Sequence, residues 1–155
     1  MIIPTLQVTP QQLNTLRHHA EITYPQECCG LLIGTLKGDH KILVEIQAVE
    51  NAWRQEAPKI WPGETHLTQE ERYAIAPTTL LATMKAVRNR NLVIIGIYHS
   101  HPDHPAIPSE FDRAYAWSYY SYLIIAVEQG KAIDIQSWSL TDDHQFQREE
   151  VRESI

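Results

Sequence analysis

The chain has 155 residues, of which 43% are hydrophobic and 21% are charged, and this balance is typical of a single soluble globular domain. The formal net charge of −6 gives no indication of a basic surface for nucleic acid. The sequence has no apolar run near the roughly eighteen residues of a membrane span and begins without a signal-peptide pattern, so we expect a cytoplasmic protein.

Runs and periodicities of apolar residues predict helices and strands in alternation. The sequence Thr-Pro-Gln-Gln from Thr9 is typical of a helix start with a capping box, and this helix ends before Pro25. The other predicted elements are an edge strand Leu6–Val8, strands Cys28–Leu36, Lys41–Val49 and Arg72–Ala76, helix Pro77–Arg88, strand Leu92–Tyr98, helix Ser109–Trp117, and strands Tyr122–Val127 and Ala132–Leu140. This order favours one α/β domain over residues 1–140, with a curved mixed sheet flanked by helices, and a polar C-terminal tail at 141–155.

Residues 50–68 are the least regular stretch, and we predict that they cross the surface as a long loop. Trp53 and Trp61 would anchor this loop in the core. Alternatively the loop is a flap that faces a substrate, since long ordered loops often carry function. The helix that follows has an apolar face that is expected to pack on the core, made of Leu80, Leu81, Met84 and Val87.

The two cysteines, Cys28 and Cys29, are neighbours in the sequence. Adjacent Cα atoms lie about 3.8 Å apart, which is closer than a usual disulfide allows. We therefore expect both thiols to be reduced and buried on their strand. A cysteine–histidine peptidase would instead use one of them as its nucleophile.

The most apolar strand of the sequence ends in two histidines. His99 and His101 lie two residues apart, so an extended backbone directs both imidazoles to the same side. Asp112 follows after ten intervening residues, and Ser109, three residues before it, is a typical helix N-cap, so this helix would carry the carboxylate back toward the histidines. Singly, each residue could be ordinary polar surface or a helix-dipole partner. Together, two imidazoles and one carboxylate are a typical ligand set of a catalytic zinc, which keeps its fourth position for water.

The spacing of these residues resembles the signature of the JAMM metalloproteases, also called MPN-plus domains. In that family a His-x-His pair is followed after ten residues by Asp, with Ser three residues before it. An upstream Glu completes the signature, and here Glu27 lies in the matching stretch 25–34, P-Q-E-C-C-G-L-L-I-G. The resemblance implies a fold related to that of cytidine deaminases, with Zn²⁺ held by His99, His101 and Asp112.

The resemblance also implies roles for two further residues. Glu27 would be the general base, and its position at the start of an apolar strand agrees, because burial raises the pKa of a carboxylate. Ser109 would donate a hydrogen bond to the oxyanion of the tetrahedral intermediate, while its oxygen also caps the helix. His104 matches no ligand of the family and is expected to be solvated beside the cleft, with a metal-related role as the alternative. Ser100 is expected to be structural.

The implied activity is that of a zinc metallopeptidase, a deubiquitinase-like isopeptidase that cleaves after the C-terminal glycines of a ubiquitin-like or sulfur-carrier protein. One alternative is a non-catalytic scaffold or interaction module of the MPN type, although such relatives usually lack some of the ligands that are present here. Another is a zinc deaminase, but Cys28 and Cys29 do not fit the Pro-Cys-x-x-Cys unit that it requires. No nucleic-acid or membrane partner is expected, and no oligomeric state follows from the sequence.

Overall fold

The structure is a computed structural model that describes residues 4–154, so residues 1–3 and 155 of the predicted domain and tail lie outside the described residues. Seven strands and four α-helices occur in that part of the chain. Their bounds are β1 Thr5–Val8, α1 Pro10–Thr23, β2 Cys29–Lys37, β3 His40–Val49, α2 Trp53–Ile60, α3 Pro77–Arg88, β4 Val93–Pro102, α4 Glu110–Ala114, β5 Ser121–Glu128, β6 Lys131–Leu140 and β7 Phe146–Glu153. Among these helices, none is long and apolar enough to cross a membrane.

The strands form one mixed sheet that closes into a barrel in the order β1-β3-β2-β4-β5-β6-β7. β1 runs parallel to both β3 and β7, and β4 runs parallel to β5, whereas the other neighbours are antiparallel. The predicted α/β class and mixed sheet are thus confirmed. The predicted strand at Leu6–Val8 is confirmed as part of β1, but its position at an edge of the sheet is wrong, because β1 is hydrogen-bonded on both sides and closes the barrel.

Helix α1 starts as the sequence predicts. The Gln12 N–H donates to Thr9 Oγ1 at 3.1 Å, and the Thr9 N–H donates to Gln12 Oε1 at 2.9 Å, so the capping box is present. The helix packs against β5 and β6. Its buried residues lie on one face of the helix, namely Leu13, Leu16 and Ala20.

Helix α3 also has the predicted bounds, but only part of its apolar face is covered. Val87 is buried against Leu31 and Ile33 of the sheet. Leu81 and Met84, which were expected to pack on the core, are 54% and 42% exposed. They line an open cleft instead, so this helix presents apolar side chains to solvent.

Residues 50–68 are not the irregular loop that the sequence suggests, because they contain α2 and a 3₁₀ turn at Pro62–Glu64. The sequence does not predict α2 because Pro58 lies inside it, and prolines are disfavoured in helix interiors. Trp53 is 1% exposed and stacks on Trp61 with ring centroids 5.3 Å apart, so the predicted anchoring in the core is confirmed for Trp53. Residues 72–76, by contrast, do not form the predicted strand.

The expected boundary between a domain ending at residue 140 and a separate polar tail is wrong. Residues 146–153 form β7, which pairs with β6 on one side and with β1 on the other. The strand has the sequence F-Q-R-E-E-V-R-E, which lacks the alternation of apolar and polar residues that marks a half-buried strand.

The buried residue of β7 is a glutamate. Glu149 is 2% exposed and forms an ion pair with Lys41 at 3.0 Å. It also accepts hydrogen bonds from the hydroxyls of Ser121 and Ser137 at 2.6 and 2.8 Å. A charged residue can occupy this buried position because each of its oxygens has a partner.

Replacing Glu149 with leucine is expected to lower the free energy of unfolding by about 3–5 kcal/mol, because the ammonium of Lys41 stays buried without its partner. Urea denaturation followed by circular dichroism measures the change. The control is Glu153→Leu at an exposed position of the same strand, which should change the value by no more than about 0.5 kcal/mol. A Glu149→Leu chain as stable as the wild type would contradict the structural role of this pair.

Candidate active site

The structure brings together the two histidines at the end of β4 and the aspartate of α4. The Nε2 atoms of His99 and His101 lie 3.0 Å apart. Asp112 Oδ2 lies 3.5 Å from each of them. The three side chains thus converge as the spacing predicts, and their ligand atoms are close enough to hold one metal ion.

The protonation states of Asp112 and His99 favour metal binding. Burial opposes ionisation of Asp112, but the neighbouring imidazoles of His99 and His101 hold its pKa well below the usual range. Burial lowers the pKa of His99, despite the nearby Asp112 carboxylate. A carboxylate and a neutral imidazole are the forms that bind a metal, so little proton release would be needed.

Helix α4 is short, and its first turn fixes the carboxylate. The Asp112 N–H donates to Ser109 Oγ at 3.0 Å, and the Ser109 N–H donates to Asp112 Oδ2 at 2.8 Å. Ser109 is therefore the N-cap that the sequence predicts, and this reciprocal pair sets the direction of Asp112. The helix ends at Ala114, three residues earlier than predicted.

Glu27 precedes β2 and is 7% exposed. Burial and the negative charge of Asp112 raise the pKa of Glu27 well above its usual value, and the positive charge of Arg72 opposes this shift. Its neighbour Cys28 is fixed to β4, since the Cys28 N–H donates to Ser100 Oγ at 2.8 Å and its carbonyl accepts from the Ser100 N–H at 3.1 Å. Ser100 thus has the structural position expected of it.

Asn51 is a buried residue that joins the segments around Glu27. Its Nδ2 donates to the backbone carbonyls of Glu27 and Arg72, both at 3.0 Å. Its Oδ1 accepts from the backbone N–H groups of Trp53 at 3.1 Å and Ala74 at 3.2 Å. Within residues 4–154, the backbone around Ala74 has no strand partner at these groups, and the side-chain amide of Asn51 supplies their hydrogen bonds instead. Sequence reasoning missed this role, because an asparagine between a strand and a tryptophan is typical of an ordinary turn.

Two clefts meet at this group of residues. An apolar cleft of about 450 Å³ has a wall that includes Trp61, Leu80, Leu81, Met84, Tyr115 and Trp117. A polar cleft of about 420 Å³ has a wall that includes Glu27, Arg72, His101, His104 and Ser109. Tyr73, Phe111 and Asp112 line both clefts, so one candidate metal ligand, Asp112, stands at their junction. His104 is exposed beside the cleft, as predicted.

The two cysteines are free and buried. Burial raises the pKa of Cys28 to about 11 and also raises that of Cys29. Because the thiolate is the nucleophile, these environments disfavour a cysteine peptidase.

A family profile described as prokaryotic homologs of the JAB domain matches residues 9–141. A "Probable TtuB-protein conjugate cleaving protease" from Thermus thermophilus is 33% identical over 82 residues, which are 52% of this chain and 55% of that protein. A "Desampylase" from Haloferax volcanii is 29% identical over 101 residues, which are 64% of this chain and 62% of that protein. The chain therefore spans less than two thirds of these relatives.

Two solved structures are similar over nearly the whole chain. The solution structure of a protein from Desulfitobacterium hafniense has a TM-score of 0.75 and covers 97% of this chain and 94% of its own. The solution structure of a protein from Salinibacter ruber has a TM-score of 0.68 and covers 98% of this chain and 92% of its own. Each is 28% identical to this chain. The architecture described above is therefore shared with solved proteins.

Replacing Asn51 with alanine is expected to lower the free energy of unfolding by about 3 kcal/mol or more, because four buried backbone groups lose their partner. Chemical denaturation measures the loss. Asn14→Ala on the exposed face of α1 is the matched control and should change stability by no more than about 0.5 kcal/mol. Equal stability of the Asn51 and Asn14 variants would mean that the amide does not hold these segments together.

Proposed function

Because the chain belongs to the family of prokaryotic homologs of the JAB domain, we propose that it is a zinc-dependent metallopeptidase acting on a ubiquitin-like or sulfur-carrier protein. It hydrolyses the peptide or isopeptide bond that follows the C-terminal glycines of that protein. The observation that supports this most strongly is the convergence of His99, His101 and Asp112, since the last two of these line a cleft that also contains the buried Glu27.

The three ligand atoms suit zinc in kind and in spacing. Zinc prefers imidazole nitrogen and carboxylate oxygen at about 2.0–2.2 Å in tetrahedral geometry, which separates neighbouring ligand atoms by about 3.3–3.6 Å. The separations of 3.0, 3.5 and 3.5 Å among His99, His101 and Asp112 are close to that value. When bound, zinc supplies Lewis acidity, which makes water more acidic and polarises the scissile carbonyl.

Glu27 is the group that moves the proton in this proposal. Its raised pKa brings the carboxylate closer to the working pH, which suits a residue that both accepts and returns a proton. The carboxylate takes a proton from the attacking water and gives it to the leaving amine as the carbon–nitrogen bond breaks. Glu27 is thereby returned to its starting state.

Ser109 is the hydrogen-bond donor to the oxyanion. Its Oγ already accepts from the Asp112 N–H, but accepting leaves the hydroxyl hydrogen available. The residue lines the polar cleft beside His101 and Asp112, where a scissile carbonyl would lie. A donor placed there stabilises negative charge that develops on the carbonyl oxygen.

The substrate class is supported by the relatives and by the clefts. One relative is named for cleaving TtuB-protein conjugates, and the other is named a desampylase. Because the apolar and polar clefts meet at Asp112, a tail lying across both would present its bond to the metal ligands. The substrate's identity and the cytoplasmic location stay predictions.

The proposal is tested with fusions in which a ubiquitin-like or sulfur-carrier protein with a diglycine end is joined to a second protein by a peptide or isopeptide bond. Intact-mass analysis should show cleavage after the second glycine by the zinc-loaded chain, loss of cleavage with a chelator, and recovery with zinc. Metal analysis should give about one zinc per chain, and His99→Ala, His101→Ala and Asp112→Ala should each abolish it. A folded wild type that takes up no zinc would overturn the proposal, and a zinc-loaded chain that cleaves none of the fusions would favour the non-catalytic scaffold.

Glu27→Gln should keep the zinc and lower turnover by about 10²–10⁴-fold, because it removes the proton acceptor but preserves the side-chain shape. Wild-type turnover should rise with pH as Glu27 ionises, since the base acts when ionised; burial and Asp112 raise its pKa, and a bound zinc ion would oppose that shift. Turnover and metal content are measured on the same preparations. A glutamine variant with wild-type turnover would exclude Glu27 as the base.

Ser109→Ala should lower kcat by about 10²–10³-fold with zinc retained, because it removes a donor to the oxyanion. The lost cap should also cost about 0.5–2 kcal/mol of stability. Ser109→Thr keeps a hydroxyl at the same position and should recover part of both losses. If Ser109→Ala were less stable but turned over normally, the hydroxyl would serve the helix alone.

A further inference from the structure

Histidines that bind a metal through one ring nitrogen are usually oriented by a hydrogen bond from the other. His101 follows this pattern, since its Nδ1 lies 2.8 Å from the backbone carbonyl of Pro105. A carbonyl only accepts, so Nδ1 carries the hydrogen and Nε2 is left free for a metal. The direction of this ring is therefore set by a hydrogen bond.

His99 departs from the pattern. The residue is 1% exposed, and its Nδ1 is buried without a hydrogen-bond partner among residues 4–154. The only polar contacts of this ring within residues 4–154 are therefore those of Nε2, the atom that would bind the metal, which faces His101 and Asp112. No hydrogen bond from Nδ1 sets the direction of the ring in that part of the chain.

The flat face of His99 is covered by Tyr73. The two rings stack with centroids 4.4 Å apart and an angle of 22° between their planes. Tyr73 is itself firmly placed, because the Asn51 side chain bonds the carbonyl of Arg72 before it and the N–H of Ala74 after it. Its hydroxyl makes no hydrogen bond within residues 4–154, so the ring is what this residue contributes to its neighbours.

We propose that Tyr73 is a positioning residue for the metal site, and that its ring orients His99 in place of the missing hydrogen bond. A stacked ring restricts rotation of the imidazole about its side-chain torsions and keeps Nε2 aimed at the point shared with His101 and Asp112. The inference rests on the proposed metal function and deepens it, because the two histidine ligands are held by different physical means.

The test is the affinity for zinc of the whole chain, measured by competition with a chromophoric chelator and therefore independent of turnover. Tyr73→Phe keeps the ring and should bind zinc within roughly threefold of the wild type. Tyr73→Leu removes the flat face and should bind about 10- to 100-fold more weakly, the size of loss typical when support of a metal ligand is removed. The absorption bands of bound Co²⁺ should be unchanged in the first variant and altered in the second.

Tyr120→Leu is the matched control, because Tyr120 is a half-buried tyrosine whose ring contacts are with Trp117 and Tyr122. It should lose stability in thermal melts but keep its zinc affinity. If Tyr73→Leu does not fold, Tyr73→Met provides a flexible apolar side chain of similar length and is judged by the same criterion.

Two results would overturn the inference. One is wild-type zinc affinity in the leucine or methionine variant, and the other is an equal loss in Tyr73→Phe, which would assign the effect to the hydroxyl. The proposed function fails separately, since it is lost if the wild type binds no zinc or cleaves no fusion. If the wild type binds zinc and cleaves its substrate while Tyr73→Leu keeps wild-type zinc affinity, the proposed function stands and only the positioning role of Tyr73 is rejected.

Discussion

The antiparallel pairing of β2 with β4 is the constraint on which the candidate site depends. Cys29 is paired with His99, and the contact continues beyond the ladder through the two hydrogen bonds between Cys28 and Ser100. Glu27 is thereby fixed next to β4, the strand that carries His99 and His101, although more than seventy residues separate Glu27 from His99 in sequence. Because side chains alternate between the two faces of a strand, a slip by one residue would turn the histidines away from the carboxylates.

The segment between β3 and α3, residues 50–76, fixes further residues around the candidate site. Asn51 fixes the backbone on both sides of Tyr73 and also holds the carbonyl of Glu27, so one buried amide links the candidate base to the ring that covers His99. The segment contains α2 and packs Trp53 and Trp61 against Phe111 of α4, so it forms a wall of the site with a small core of its own. A buried side chain whose hydrogen bonds are all satisfied, such as the Asn51 amide, makes the surrounding backbone more rigid.

The candidate metal ligands and the N-cap could be predicted because their geometry is local. His99 and His101 share a strand face by alternation, and Ser109 with Asp112 spans one helical turn. The roles of Asn51 and Tyr73 could not be predicted from the sequence, since they arise from contacts between residues that lie far apart in the chain. Strand β7 was missed for a related reason: its inward residue is a charged one whose partners lie on three other strands. Periodicity detects apolar burial and does not detect a buried ion pair.

The closure of the barrel also has a consequence for how the chain is made. Thr5 of β1 is paired with Glu150 of β7, which is 145 residues later. The β1–β7 pairing that closes the barrel therefore joins residues near the two ends of the described range. On the ribosome, every residue of the candidate site emerges before this partner does. Until β7 has been synthesised, β1 and β6 each keep an unpaired edge, and unpaired strand edges can pair with other chains. Long-range pairing of this kind forms slowly, so these two edges stay open to association with other chains for longer than the edges of a local hairpin.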